Sequence, residues 1–411
     1  MAQPAPAPNS ALRQIVFINA AHGITHYSLL ILATAVLGMV QQDGTLFGGE
    51  YGPVLALGTA MFVLYGVCAL PMGWLADRLG RHRLMLIFFI GTGGCMAASG
   101  LVSSPFWLAV MLGAMGAFAA IYHPVGTAML VEAAGDRVGR AVGVNGVFGN
   151  LGVAAAPVVT AFLAQAAGWR AAFIVPGLIC LVVGLLYLRE RPVAGAAAAA
   201  AARPFPVIPR PVVRRAVIVL LSIAAASGFV FNAFTLLLPK LMEERLAGDA
   251  SLLPVIGALA FLVTLCGGLT QFTVGRMIDR LTLRRVFMPL ALVQMPLLLA
   301  LSFAQGWLVL PLAAALAASI FGQVTVNETM TARYIAPPLR VRLYSLRFFI
   351  GFMGAAAAAP LVGMLHQATG NLAATLLVLS GFSGVILACA IFFPDRKEEL
   401  RPELWAAAPA E

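Results

Sequence analysis

The sequence predicts an all-α integral membrane protein, with twelve transmembrane helices arranged as two pseudo-symmetric six-helix halves. Three observations carry this expectation. Of the 411 residues, 61% are hydrophobic and only 10% charged, with a mean hydropathy of +0.95. A soluble domain carries about 25% charged residues, so this chain has too few charges to cover a water-facing surface. Second, the chain divides into twelve apolar runs, each close to the roughly 20 residues that cross a bilayer core. Third, the string GWLADRLGRHR, Gly73 to Arg83, returns 202 residues later as GRMIDRLTLRR, Gly275 to Arg285. Transmembrane strands would read instead as half-polar segments of about 10 residues, and no such alternation occurs.

The runs follow in order. A Pro/Ala-rich tail, 1–13, precedes the first run at 14–40, which is too long for a signal-peptide core and is expected to remain as a helix. It carries Asn19, His22 and His26 at i, i+3 and i+7, on one helical face. Polar groups inside a span mark functional positions by default, so this face either lines a cavity or holds buried structural hydrogen bonds. The second run, 50–75, leads into the Gly73 string, and the third covers 84–103. The fourth, 106–132, places His123 beside Tyr122, with Pro124 freeing a backbone carbonyl. Three histidines can in principle ligate a metal ion. No cysteine or carboxylate accompanies them at fixed spacing, so no metal is assigned.

The fifth run, 139–166, carries Gly143, Gly152 and Pro157 together with Asn145 and Asn150, and the sixth covers 169–189. These close a first half at 14–189. Residues 190–213, with five prolines and an alanine tract, read as a linker. The second half, 214–394, opens with a seventh run at 214–240 that holds Asn232. The eighth, 251–276, ends in the second copy of the string, with Gly275, Asp279 and Arg280. After the ninth, 285–303, the tenth at 307–333 bears Gln323, Asn327 and Thr331 as an i, i+4, i+8 stripe, with Glu328 adjacent. The eleventh, 341–366, contains Arg347; the twelfth, 371–394, leads to a tail at 395–411. Glu328 and Arg347 are opposite charges at one depth, and an uncompensated charge there costs several kcal/mol. Pairing is expected, either as a fixed staple or as a coupling element.

Twenty-two of the 26 basic residues lie in the tails and alternate loops; the other loops hold only Arg170, Lys240 and Arg245, and Arg347 lies inside a run. Basic residues near span ends mark the cytoplasmic face. Both termini are therefore expected inside, as an even number of spans requires. The net charge of +10 is then topological, and no nucleic acid is implied. Cys68, Cys95, Cys180, Cys266 and Cys389 fall within apolar runs with no CxxC pair, and read as small packing residues.

The duplication extends beyond the hinge strings. AQAAG at Ala164–Gly168 matches HQATG at His366–Gly370, and VAAAP at Val153–Pro157 matches AAAAP at Ala356–Pro360. Gly73, Leu75, Asp77, Arg78, Gly80, Arg81 and Arg83 satisfy the pattern G-x-L-a-D-r-x-G-r-[KR]-x, with His82 in place of the usual base. On that motif the chain resembles the major facilitator superfamily over its full length. His22, YHPVGTAML (Tyr122–Leu130) and GNLGVAAAP (Gly149–Pro157) are similar to the fosmidomycin-resistance-type exporters. The Gly143, Gly152, Pro157 spacing resembles the fifth-helix packing motif of drug/proton antiporters. There the chain departs by Ala156, Thr160 and Ala161 in place of glycines, and by the absence of an arginine between Trp107 and Glu132. The resemblance implies that the Asp77 hinge locks the second helix against the eleventh in an outward-open state, with Asp279 acting likewise toward the fifth. A carboxylate near a helix N-terminus gains from the helix dipole, and Gly73 and Gly275 would let helices approach closely.

No GxSxG, HExxH, Walker lysine motif or GxGxxG after a strand is present, so no enzyme and no cofactor is expected. Energy would come from an ion or solute gradient. The expectation is a monomeric secondary transporter of a bacterial inner membrane, moving a small organic solute by alternating access as proton-coupled efflux. The alternatives are a metabolite or siderophore-like importer on the same fold, and a non-transporting assembly or delivery factor. Proton coupling is expected through His22, His26 or His123, with the Glu328–Arg347 pair as a second relay.

Overall fold

The structure, a computed structural model, describes residues 8–134, 138–190, 208–247, 252–278, 280–335 and 337–393. Among the described residues there is no strand, and twelve helices are long and apolar enough to cross a membrane. They are α1 Pro8–Gln42, α2 Tyr51–Ala69, α3 Arg81–Ser99, α4 Pro105–Ala134, α5 Val138–Ala167 and α6 Trp169–Tyr187. The second set is α7 Arg210–Met242, α8 Leu253–Ile278, α9 Leu283–Phe303, α10 Val309–Tyr334, α11 Pro337–Thr369 and α12 Ala373–Ile391. Leu178, Ile179, Val182 and Leu185 of α6 are each more than half exposed. A helix that is apolar all round is stable at that exposure only in lipid.

Two helices depart from the uniform runs that hydropathy predicts. The second run was expected to continue to residue 75, but α2 stops at Ala69 and a separate helix, Met72–Leu79, follows Pro71. Proline lacks the N–H for the preceding turn and its ring clashes with the carbonyl four residues back. In α4 the segment Tyr122–Gly126 is a π-turn. Pro124 lies inside it and leaves the same kind of gap in the ladder.

The 202-residue repeat has a structural meaning. Gly168 and Gly370 both adopt positive φ, 86° and 73°, at the turns from α5 to α6 and from α11 to α12. Glycine holds that conformation without a Cβ penalty. Each turn is braced by a residue at or just beyond the end of the first helix of its half. Gln42 donates to the Ala164 carbonyl (3.0 Å) and accepts from the Trp169 N–H (2.8 Å). Its repeat partner Glu244 meets His366 at 2.5 Å and accepts from the Leu372 N–H at 3.3 Å. His366 is the repeat partner of Ala164, so an amide brace in one half is a charged brace in the other.

The bundle has a basic end, where α1 begins, and an opposite end, which carries these braced turns. At the opposite end the halves are sealed. A Cβ added at Gly52 would lie 2.5 Å from the Gly363 carbonyl oxygen, and one at Gly257 would lie 2.6 Å from that of Pro157. At the basic end they stand apart: a Cβ on Gly73, Gly143, Gly146 or Gly275 would meet nothing within 4 Å. The close approach expected at Gly73 and Gly275 is not made in this conformation. In this conformation the surfaces they would meet are withdrawn. Gly143 is likewise open, whereas Gly152 does pack against the Gly23 backbone of α1.

Candidate functional site

The polar residues of α1, α4 and α5 form one cluster. The His22 Nδ1–H donates to the Asn145 carbonyl (2.7 Å), and the Asn145 side chain donates to Asn19 Oδ1 and accepts from the Tyr122 hydroxyl, both at 2.9 Å. That assignment leaves His22 Nε2 as an acceptor, and His26 Nε2 lies 3.1 Å from it. The His22 ring stacks on Tyr122, with centroids 4.8 Å apart. The α4 π-turn brings in His123, whose ring centroid lies 5.4 Å from His22 and 5.6 Å from His26. Helical spacing pairs His22 with His26; only the fold adds His123.

The cluster meets the other half through aromatic rings. His123 stacks on Phe348 of α11 at 4.9 Å, and Phe348 lies parallel to Phe352, which packs against Tyr65 of α2. Sequence reasoning passed over all three rings, although Phe348 and Phe352 sit four residues apart just after the intraspan arginine. Next to Phe348, Arg347 donates to the Thr331 hydroxyl at 2.6 Å and lies 3.5 Å from the Glu328 carboxylate. Arg347 is 11% exposed and Glu328 is 47% exposed, so the carboxylate is the more accessible partner. Gln323 and Asn327 are buried beside them, and Gln323 accepts from Ser227 of α7 at 3.4 Å.

The remaining asparagines divide. Asn150 crosses between halves to Gln271 of α8 at 2.9 Å, whereas Asn232 donates to the Gly228 carbonyl on its own helix. A small void between the halves is bordered by Thr34, Pro157, Thr235 and Thr264.

In the hinge region Asp77 is exposed and makes no hydrogen bond or ion pair among the described residues, so the expected contact with α11 is not formed in this conformation. Arg78 lies over the Trp74 ring, Arg81 pairs with Glu132 at the end of α4, and Arg83 is exposed. Gly80 takes φ 82° where α3 begins. In the second copy Arg280 is exposed, and Asp279 lies outside the described residues.

A second constellation, not anticipated from the sequence, locks the opposite end. Tyr51 of α2 is buried under the Lys240 ammonium (5.5 Å) and edge-on to His366 (5.2 Å). Lys240 pairs with Glu243 at 2.7 Å, and Gln367 reaches across the halves to Glu50 at 2.6 Å. The signal that would have found it is the 202-residue offset between Gln42 and Glu244.

Two six-helix halves, sealed at one end, apart at the other and meeting through polar and aromatic groups at mid-depth, define a membrane carrier. Residues 17–264 match the family model of the Major Facilitator Superfamily, and the chain belongs to that superfamily. A "Multidrug resistance protein B homolog" of Mycobacterium tuberculosis is 30% identical over 169 residues, 39% of this chain and 31% of that protein. "Multidrug resistance protein MdtG" of Dickeya zeae is 25% identical over 251 residues, 59% of this chain and 60% of that protein. The matches thus span less than two thirds of either relative. The crystal structure of a bacterial homolog to the human lysosomal transporter Spinster, in an inward-facing and occupied conformation, superimposes with a TM-score of 0.71. It covers 94% of this chain and 95% of that chain at 13% identity, which establishes a shared fold.

Proposed function

We propose that this chain exports a small organic solute across a bacterial inner membrane by alternating access, as a proton-coupled monomer. The basic end lies in the cytoplasm, because 22 basic residues fall on that side against three on the other. The structure is then the inward-open state. The observation that carries the reading is the asymmetry of the seal: halves packed backbone to backbone at one end and separated at the other, around polar groups from both. Two relatives named for multidrug resistance support the outward direction. Both six-helix halves, 14–189 and 214–394, contribute to the path within one chain, so a second copy is not needed to complete it.

The coupling proton belongs on Glu328 rather than on the histidines first considered. His22 and His26 spend their facing nitrogens on each other and on a backbone carbonyl, and among the described residues no carboxylate joins them. Glu328 is half exposed, faces Arg347 and stands next to the junction with the other half. Protonating Glu328 removes the charge that Arg347 faces at 3.5 Å and so shifts charge where the halves meet.

The test has two stages. Deletion and overexpressing strains are compared across a panel of toxic compounds and nutrients. Resistance gained on overexpression supports export; growth lost on one nutrient assigns import instead. The transported compound is then followed in proteoliposomes. Glu328→Gln is expected to lower pH-gradient-driven flux at least about tenfold, the effect of about 1.4 kcal/mol on a barrier, while solute exchange without a gradient survives. Gradient-driven flux equal to wild type in Glu328→Gln would remove it as the coupling site.

A further inference from the structure

We propose that His22, His26 and His123 form a binding site for a divalent transition-metal ion of the zinc or cobalt type, at the junction of the two halves. One ring nitrogen from each histidine lies within 4.8 Å of the other two. A tetrahedral ion bound at 2.0–2.1 Å places its nitrogen ligands about 3.4 Å apart. His22 Nε2 and His26 Nε2 already stand 3.1 Å apart, and the His123 nitrogen must draw in from within 4.8 Å to complete the set.

Three further features distinguish this site from an accidental gathering of rings. The His22 Nδ1–H is held by the Asn145 carbonyl at 2.7 Å, and Asn145 is fixed in turn by Asn19 and Tyr122. Metal-ligating histidines are oriented in this way, with the second nitrogen committed to a carbonyl or carboxylate. His123 Nε2 is buried with no hydrogen-bond partner, and a buried polar atom left unsatisfied calls for an occupant. The π-turn that carries His123 is a distortion frequent at functional sites.

The donor set selects the ion. Neutral imidazoles suit zinc, cobalt, nickel or copper(II). The absence of a carboxylate from the group disfavours magnesium and calcium. Binding replaces the His26–His22 hydrogen bond by two coordination bonds, with the His26 proton carried on Nδ1. The fourth position is left to water or an anion.

The experiment uses the purified full-length chain with its affinity tag removed. Titration with CoCl2 is expected to give one Co2+ per chain, with the intense visible bands of tetrahedral cobalt, displaced by ZnCl2. His22→Gln, His26→Gln and His123→Gln are each expected to weaken Co2+ binding at least about tenfold, the loss typical of damage to a metal site. His82→Gln should bind as wild type does. Zinc X-ray absorption on the wild-type chain answers the question even if a variant fails to fold. Imidazole scattering from two or three ligands at about 2.0–2.1 Å supports the site. Absence of stoichiometric cobalt bands, bands that survive in the triple variant, or a zinc spectrum without imidazole scattering overturns it. None of these readouts measures solute flux, so their failure is distinct from failure of the Glu328 assignment.

Discussion

Asp43, just beyond the end of α1, accepts from Arg170 at 2.7 Å and from the Trp169 indole at 3.4 Å. The Arg170 guanidinium holds its carboxyl below the ordinary carboxylate range. A carboxylate whose folded value is depressed contributes stability that is present above the unfolded value, about 3.9, and is lost as pH falls through the folded value. Both side chains are partly exposed, so the contribution is small and screened by salt. The thermal midpoint of Asp43→Asn is therefore expected to lie slightly below wild type near pH 7, with the gap closing below about pH 4 and in high salt. A gap independent of pH would assign the loss to packing. At this scale the sequence disclosed individual residues better than their partners. His22 and His26 were legible together because they share a helical face, and Glu328 with Arg347 because each would be costly alone. The place of His123 depends on a π-turn, and that of Phe348 on contact between halves. Neither is written in local periodicity.

Between one helix and the next, small residues decide where the halves touch. Gly52 of α2 and Gly363 of α11 meet backbone to backbone at the opposite end, where each would place a Cβ on the other's main chain. Gly52→Val is therefore expected to disfavour this seal. Cysteines placed at the opposite ends of α2 and α11 in that variant should react faster with a water-soluble maleimide than in the glycine parent. Unchanged labelling would show that the helices absorb the side chain by a local shift. The twelve helices were legible because each run is long and apolar, and the repeat because turn glycines such as Gly168 and Gly370 are needed at equivalent corners. The break at Pro71 escaped hydropathy, which averages over a single proline. The close approach expected of Gly73 and Gly275 belongs to a conformation with the basic end closed, whereas both positions are open in this structure.

As a whole, the molecule is a pair of related bundles around a polar middle, and the orientation proposed for it rests on arginine placement. On a cysteine-free background, single cysteines at Gly80, Thr282 and Ala197 (the last outside the described residues) are expected to be shielded from a membrane-impermeant thiol reagent in intact cells. They should become reactive in inverted vesicles. Labelling of Ala197 in intact cells would reverse the assignment of the two faces. The central claim is that the halves rock as units, so that opening one end closes the other. Spin-label distances test it most directly, with one pair at Gly143 and Arg276 on the basic ends of α5 and α8. A second pair, at Thr45 and Leu252, reports the opposite ends. The wild-type chain is predicted to hold a long basic-end distance and a short opposite-end distance as its main population, and Gly52→Val to shift both in reciprocal directions. Distances that stay fixed at both ends, or that lengthen together, would contradict alternating access by rigid halves.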